Sequence, residues 1–250
     1  MGYHNPVLLN ECVQGLSVKP EGIYVDVTFG GGGHSKSILS ELDKGKLFAF
    51  DQDKSAIAND LNQPNFKLIN ANFRYLKNFL RMEDVKKIDG ILADLGVSSH
   101  QFDIANRGFS TRLEGKLDMR MDKNSSLSAY DVINDYSESD LANIFYKYGE
   151  LRNSRKIAKI ITDARKIAVI NTTSQLNNQI SCLVPEKYKN QFLARVFQAI
   201  RIEVNDEIKA LEEMLLSAVD LLKPKGRLVV LSCLLYTSPS PRDKRQSRMP

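Results

Sequence analysis

Cysteine is scarce in this chain, and long apolar runs are missing from it. The three cysteines, Cys12, Cys182 and Cys233, stand far apart with no CxxC pair, so neither a disulfide framework nor a zinc site is suggested, and no metal is expected. They read as free thiols. No apolar stretch approaches the length needed to cross a bilayer, and residues 1–20 lack the basic-then-apolar order of a signal peptide; both absences point to a cytoplasmic protein. At 250 residues and 42% hydrophobic content, the chain can hold one α/β domain of ordinary size, or one with a sizeable insertion.

Charge is unevenly spread. Lysine and arginine against aspartate and glutamate give −3 over residues 1–105 with 201–232, +5 over residues 106–200, and +3 over residues 233–250. The basic excess therefore lies in a middle segment and a terminal tail, which is where a polyanion would be met.

Residues 23–36 read IYVDVTFGGGGHSK. Ile23, Tyr24 and Val25 are β-formers, Asp26 closes the run, and Gly30 to Gly33 precede a helical pattern that resumes at Ser35. Strand, tight turn and helix start follow from that order. Glycine is required where a ligand lies against backbone at the carboxyl end of a strand. A second strand, residues 46–50 (KLFAF), ends at Asp51, about twenty residues on, where a carboxylate can bind the ribose hydroxyls of a nucleoside-containing cofactor.

The βα rhythm continues. Ala56, Ile57 and Leu61 suit a short helix, residues 66–69 a third strand, and Phe73, Leu76, Phe79 and Leu80 an amphipathic helix. Phe73 is open to two readings, stacking on a ligand ring or core packing. A fourth strand, residues 88–93, ends in Asp94, and the stretch DLGVSSHQFD that follows is either an ordinary βα loop with a helix cap or a polar loop beside the glycine turn. Upstream, His4 is a ligand, a base or a structural residue, and Val7, Leu8, Glu11 and Cys12 suit a short helix over the glycine turn.

From Asn106 the rhythm stops for about a hundred residues and helices take over. Ser137-x-x-Asp140 and Thr172-x-x-Gln175 are capping-type starts. Ile157, Ile160, Ile161, Ala164 and Ala168 form one helical stripe, while Arg152, Arg155, Lys156 and Lys159 fall on another face, either solvated or binding the phosphates of RNA or DNA. Asn205 can cap a late helix with Ile208, Leu211, Leu215, Ala218, Val219 and Leu222 on its buried face. Lys223-Pro-Lys-Gly226 would stop it before a fifth strand at residues 227–231. Residues 233–250 (CLLYTSPSPRDKRQSRMP) show no periodicity and read as a disordered, non-native-looking tail.

Taken in order, HNPVLLNE from His4, DVTFGGGGHS from Asp26, DLGVSS from Asp94, RGFS from Arg107, LDMRMD from Leu117 and FQAIRIEVN from Phe197 closely resemble the bacterial RsmH (MraW) family over residues 1–232. The resemblance implies a class I (Rossmann-like) methyltransferase sheet built from residues 1–105 and 201–232, interrupted by an all-helical substrate-recognition insert at 106–200. It implies S-adenosylmethionine as cofactor and the N4 amine of a cytidine in the decoding region of 16S rRNA, free or in the small ribosomal subunit, as substrate. It carries cofactor contacts onto Gly32, Gly33, His34, Asp51, Phe73, Asp94 and Gln101, and Asp94 is the candidate acceptor of an amine proton. After residue 232 the family continues with an FHSLEDR-type segment and further strands, which are missing from this sequence. Two rival readings are a nicotinamide-dependent oxidoreductase, against which Ser35 stands where the fingerprint needs its third small residue, and a non-catalytic RNA-binding protein, which has no use for Asp51.

Overall fold

The computed structural model describes residues 6–232. His4 and the segment 233–250, with Cys233, lie outside the described residues. The chain divides into two compact units, one of Met1–Ser98 with Glu207–Ser232 and the other of Ser99–Asp206.

Five parallel strands build the first unit: β1 (Ile23–Asp26), β2 (Lys46–Phe50), β3 (Phe66–Ile69), β4 (Ile88–Leu95) and β5 (Leu222–Ser232), in the order β3-β2-β1-β4-β5. The order reverses between β1 and β4. That is a topological switch point, beside which ligands bind at the carboxyl ends of the strands. Period-two alternation sends neighbouring side chains to opposite faces. Tyr24, Leu47 and Leu92 pack with Cys12 and Leu16 of α1 (Leu9–Leu16) and with Ile38 and Leu39 of α2 (Gly33–Ser40). Val25, Phe48, Phe50 and Ile91 pack on the other face with Leu76 and Leu80 of α3 (Leu76–Met82) and with Met214, Ala218 and Leu221 of a late helix, Glu207–Leu221.

Three expectations need correction here. The first helix begins at Leu9, not Val7, because Leu8 sits at φ 50°, and Val7 and Leu8 are exposed. The Ala56–Ile57 stretch is a 3₁₀ turn, Lys54–Asn59, capped by Asp53, and Leu61 falls outside it. The fifth strand starts earlier than expected: its pairing steps from Ile88↔Leu222 to Gly90↔Arg227, so the Lys-Pro-Lys-Gly segment bulges from the sheet instead of preceding it. Lys223 pins that bulge by its 2.7 Å bond to Asp89.

The second unit is helical: α4 (Ser99–Asp103), α5 (Ala129–Asp135), α6 (Glu138–Lys147), α7 (Ser154–Ile167), α8 (Thr173–Ile180) and α9 (Lys189–Asn205). The late helix of the first unit is α10 (Glu207–Leu221). Ser137 caps α6 by accepting the Asp140 N–H, and Thr172 and Gln175 form a reciprocal capping box on α8. Arg165 of α7 donates to the Ile133 and Tyr136 carbonyls at the end of α5. That satisfies acceptors which a helix terminus leaves open.

Asn205 does not cap α10. It ends α9, and its side chain accepts from Met121 N–H (2.7 Å) and donates to the Met119 carbonyl (2.8 Å). The buried stripe of α10 is Ala210, Met214, Ala218 and Leu221, whereas Ile208, Leu215 and Val219 are exposed. Around Asn205 the RGFS and LDMRMD segments form one knot. Arg107 is buried and donates to the Arg120 carbonyl, its own carbonyl accepts from Met119, and Arg120 grips Asp118 with two bonds. Gly108 at φ +72° leaves no room for a side chain, since a Cβ there would meet the Lys116 carbonyl oxygen at 2.2 Å. These motif residues hold the unit together.

Candidate functional site

At the end of β1 the chain turns at Asp26, which is 1% exposed. Its carboxylate accepts the Thr28 N–H at 3.0 Å and the Ser35 hydroxyl at 2.7 Å. Burial raises its pKa, opposed by those donors and by the charge of His34. Gly30 (φ +52°) and Gly32 (φ +74°) then carry the backbone through a region that side chains avoid. Gly33 begins α2 directly under Pro6, whose ring leaves no space for a Cβ.

Asp51 stands where the spacing predicts it, just past β2, and it is tied to the turn. One oxygen accepts the Gly30 N–H and the other the Asp53 N–H, both at 2.8 Å. Desolvation pushes its pKa up to about 6, with the two N–H bonds opposing and Asp53 and Asp26 adding to the rise. Each oxygen keeps a further lone pair, so the group suits two hydroxyl donors. Asn59 donates to the Gly30 carbonyl at 2.9 Å and Asn70 to the Asp51 carbonyl at 2.8 Å, fixing turn and strand end together. Phe73 follows β3 in a short 3₁₀ turn capped by Asn72 and packs in part against the core.

Asp94 lies near the end of β4, its side chain 41% exposed. Burial raises its pKa, His34 opposes the rise and Asp26 adds to it. The His34 ring is buried; Nε2 lies 3.2 Å from the Val7 carbonyl and Nδ1 3.9 Å from the Asp94 carboxylate. Thus the ring faces the N-terminal segment and Asp94. Gly96, at φ +146°, has open space where a Cβ would project.

One structural unit thus brings Gly32, Gly33, His34, Asp51, Phe73 and Asp94 to the carboxyl ends of β1 to β4. Gln101 is buried on α4 in the helical unit. Arg152, Arg155, Lys156 and Lys159 are all exposed, Arg152 in the turn before α7 and the others on it. Sequence reasoning passed over Asp26, Thr28 and Ser35 as polar site residues, although a Thr two positions after an Asp at a strand end is itself a turn signal.

Positive-φ glycines, open space at Gly96 and a desolvated carboxylate with spare acceptor capacity fit a ribose-bearing cofactor at this end of the sheet. A profile of the MraW methylase family matches residues 1–238. The chain is similar to the ribosomal RNA small subunit methyltransferase H of Flavobacterium johnsoniae, 55% identical over 93% of this chain and 77% of that protein. It is 57% identical to the protein of the same name from Christiangramia forsetii over the same shares, and 55% identical to that from Bacteroides fragilis over 92% of this chain and 76% of the relative. The chain belongs to the MraW methylase family, a family of S-adenosylmethionine-dependent methyltransferases.

Proposed function

We propose that this methyltransferase acts on the N4 amine of a cytidine in the decoding region of 16S rRNA, in the cytoplasm. The names of its relatives supply the small-subunit RNA, and the sequence motifs supply cytosine N4. The observation that carries the chemistry is Asp94: a half-exposed carboxylate at the carboxyl end of β4, on the strand next to the glycine turn.

When bound, S-adenosylmethionine supplies an activated sulfonium methyl group. Gly32, Gly33 and the backbone at His34 would hold it with Asp51 on the ribose, Phe73 at the end of β3 and Asp94. A cytosine amine is a weak nucleophile because its lone pair is delocalised into the ring. Asp94 accepts an amine N–H, which weakens the conjugation with the ring and turns the lone pair toward the methyl group. The base is splayed out of its stack to reach this carboxylate. Arg152, Arg155, Lys156 and Lys159 contact RNA phosphates.

The test is product analysis. Small-subunit RNA, alone and in assembled subunits, is incubated with the protein and isotopically labelled S-adenosylmethionine; one portion is digested to nucleosides and resolved by chromatography against standards of the isomeric methylcytidines, and another is cut to oligonucleotides to locate the label. The reading requires N4-methylcytidine at one position. Label at C5, at a ribose oxygen or in another base would overturn it.

A further inference from the structure

We propose that Thr28 is the positioning residue for Asp94: its hydroxyl holds the Asp94 backbone at the place and angle the amine acceptor needs. The inference rests on the reading of Asp94 as that acceptor and adds a residue outside the cofactor contacts.

Near the end of the β1–β4 ladder the Val27 N–H donates to the Leu92 carbonyl at 2.9 Å. In a regular parallel pair, the N–H two residues further along β4 would find a backbone carbonyl on β1. Here the Asp94 N–H goes instead to the Thr28 hydroxyl oxygen, at 2.7 Å. A side chain has taken over a rung of the ladder at the residue whose carboxylate is to do chemistry.

The polarity of the contact is set by the Asp94 N–H, which can only donate, so the Thr28 oxygen accepts. Thr28 is held in turn by Asp26, which accepts the Thr28 N–H (3.0 Å) and the Ser35 hydroxyl (2.7 Å) and stands 3.4 Å from the Thr28 hydroxyl as a long, weak acceptor. Asp26 is 1% and Ser35 0% exposed, so the anchor of this relay is in the core and cannot relax into solvent. The same carboxylate that closes the glycine turn through Ser35 of α2 therefore sets the height of Asp94. The carboxylate of Asp94 needs that support because its own oxygens are less constrained: His34 Nδ1 stands 3.9 Å away, beyond a hydrogen bond.

A side-chain rung can be edited without touching the backbone, so three substitutions grade it. Thr28→Ser keeps the hydroxyl, Thr28→Cys keeps a weaker acceptor of similar size, and Thr28→Val keeps the shape and removes the acceptor. Two quantities are read on the full chain. The first is amide hydrogen exchange at Asp94 without cofactor; the second is kcat, KM and cofactor Kd in methyl transfer to small-subunit RNA.

Thr28→Val is expected to speed exchange at Asp94 and lower kcat about tenfold, the scale of one lost hydrogen bond, while KM for RNA and the cofactor Kd move by no more than about threefold. Thr28→Cys falls between, and Thr28→Ser stays near the parent; if Thr28→Val does not fold, the Cys and Ser pair decides. Asp94→Ala, which removes the acceptor, is run alongside. If it lowers kcat while Thr28→Val does not, the Thr28 proposal is overturned and the Asp94 reading stands. If Asp94→Ala leaves kcat unchanged, the acceptor reading fails and the positioning role falls with it. Unchanged exchange at Asp94 in Thr28→Val, or equal losses in kcat and cofactor binding, would also overturn it.

Discussion

Asp51 and Asp89 lie at opposite ends of one sheet, and their surroundings differ in kind. Asp89, at the start of β4, accepts from Lys223, Lys19 and the Ile23 N–H; burial acts to raise its pKa, but these partners outweigh it and hold the carboxyl below its ordinary range. Asp51, at the end of β2, has only backbone N–H donors, and desolvation leaves its pKa raised to about 6. Asp26 and Asp94, at the ends of β1 and β4, are raised as well. The amino-terminal end of the sheet neutralises its buried charge with lysine, whereas Asp26 and Asp51 at the carboxyl end are met by neutral donors alone. A desolvated carboxylate with no lysine or arginine partner and acceptor capacity to spare is a place where a ligand's hydroxyls or amines are favoured. The helical unit follows the first pattern: Asp118 is desolvated, yet Arg120 holds its carboxyl down.

The comparison breaks most visibly on the surface of α7. Changing Arg152, Arg155, Lys156 and Lys159 to Glu should weaken RNA binding by more than about a hundredfold at low salt and flatten its salt dependence, by up to about 0.7 in log–log slope for each phosphate no longer neutralised. Cofactor affinity, read by calorimetry, should not follow. An RNA affinity indifferent to all four changes would make this face merely solvated.

At the carboxyl end, Asp51→Ala should weaken S-adenosylmethionine binding by about 1 to 3 kcal/mol, by removing acceptors for the ribose hydroxyls. Titration calorimetry on a folded variant gives the answer, and an unchanged Kd removes the ribose role. Smaller again is the effect in the helical knot. Arg120→Ala should cost about 1 kcal/mol in denaturant unfolding, since the pair it breaks with Asp118 is partly exposed. Because Asp118's carboxyl is held below its ordinary range, that stabilisation is present above the unfolded value of about 4 and is lost as pH falls through the lowered one. A difference between parent and variant that stays constant down to about pH 2 would show that the ion pair is not its source.

Much of the sheet was legible because each strand carries its own punctuation. Residues 46–50 and 66–69 coincide with β2 and β3, and Asp51 and Asp94 were picked out by standing at strand ends, a position that local pattern reveals. The late helix was harder. Of the expected face, Ala218 is in the core and Leu211 and Leu222 pack against it, whereas Ile208, Leu215 and Val219 are exposed and Ala210, Met214 and Leu221 are buried in their place; apolar residues lie on both sides of this helix, so periodicity could not fix the edges of the stripe, which packing on the sheet decides. Asn205 has the right residue type for a cap, but its side chain is taken by Met119 and Met121, more than eighty residues away in sequence. Thr28 escaped notice for the same reason, since its partner Asp94 is set by strand register, and β1 with β4 is a pairing of segments 66 residues apart.

Central to this reading are carboxyl-end carboxylates that are desolvated in the free protein and engaged by the cofactor, and S-adenosylmethionine binding as a function of pH tests it most directly. Asp51 takes up a proton as pH falls through about 6, and ribose donors bind the ionised form, so affinity should be level above about pH 7 and fall roughly tenfold per unit below the shifted value. Calorimetry in buffers of different ionisation enthalpy should show release of about half a proton on binding near pH 6, rising towards one at lower pH and absent by about pH 8. In Asp51→Asn the profile should be weaker overall, with this release missing. A wild-type Kd that is flat from about pH 5 to 8, with no proton released, would contradict the account.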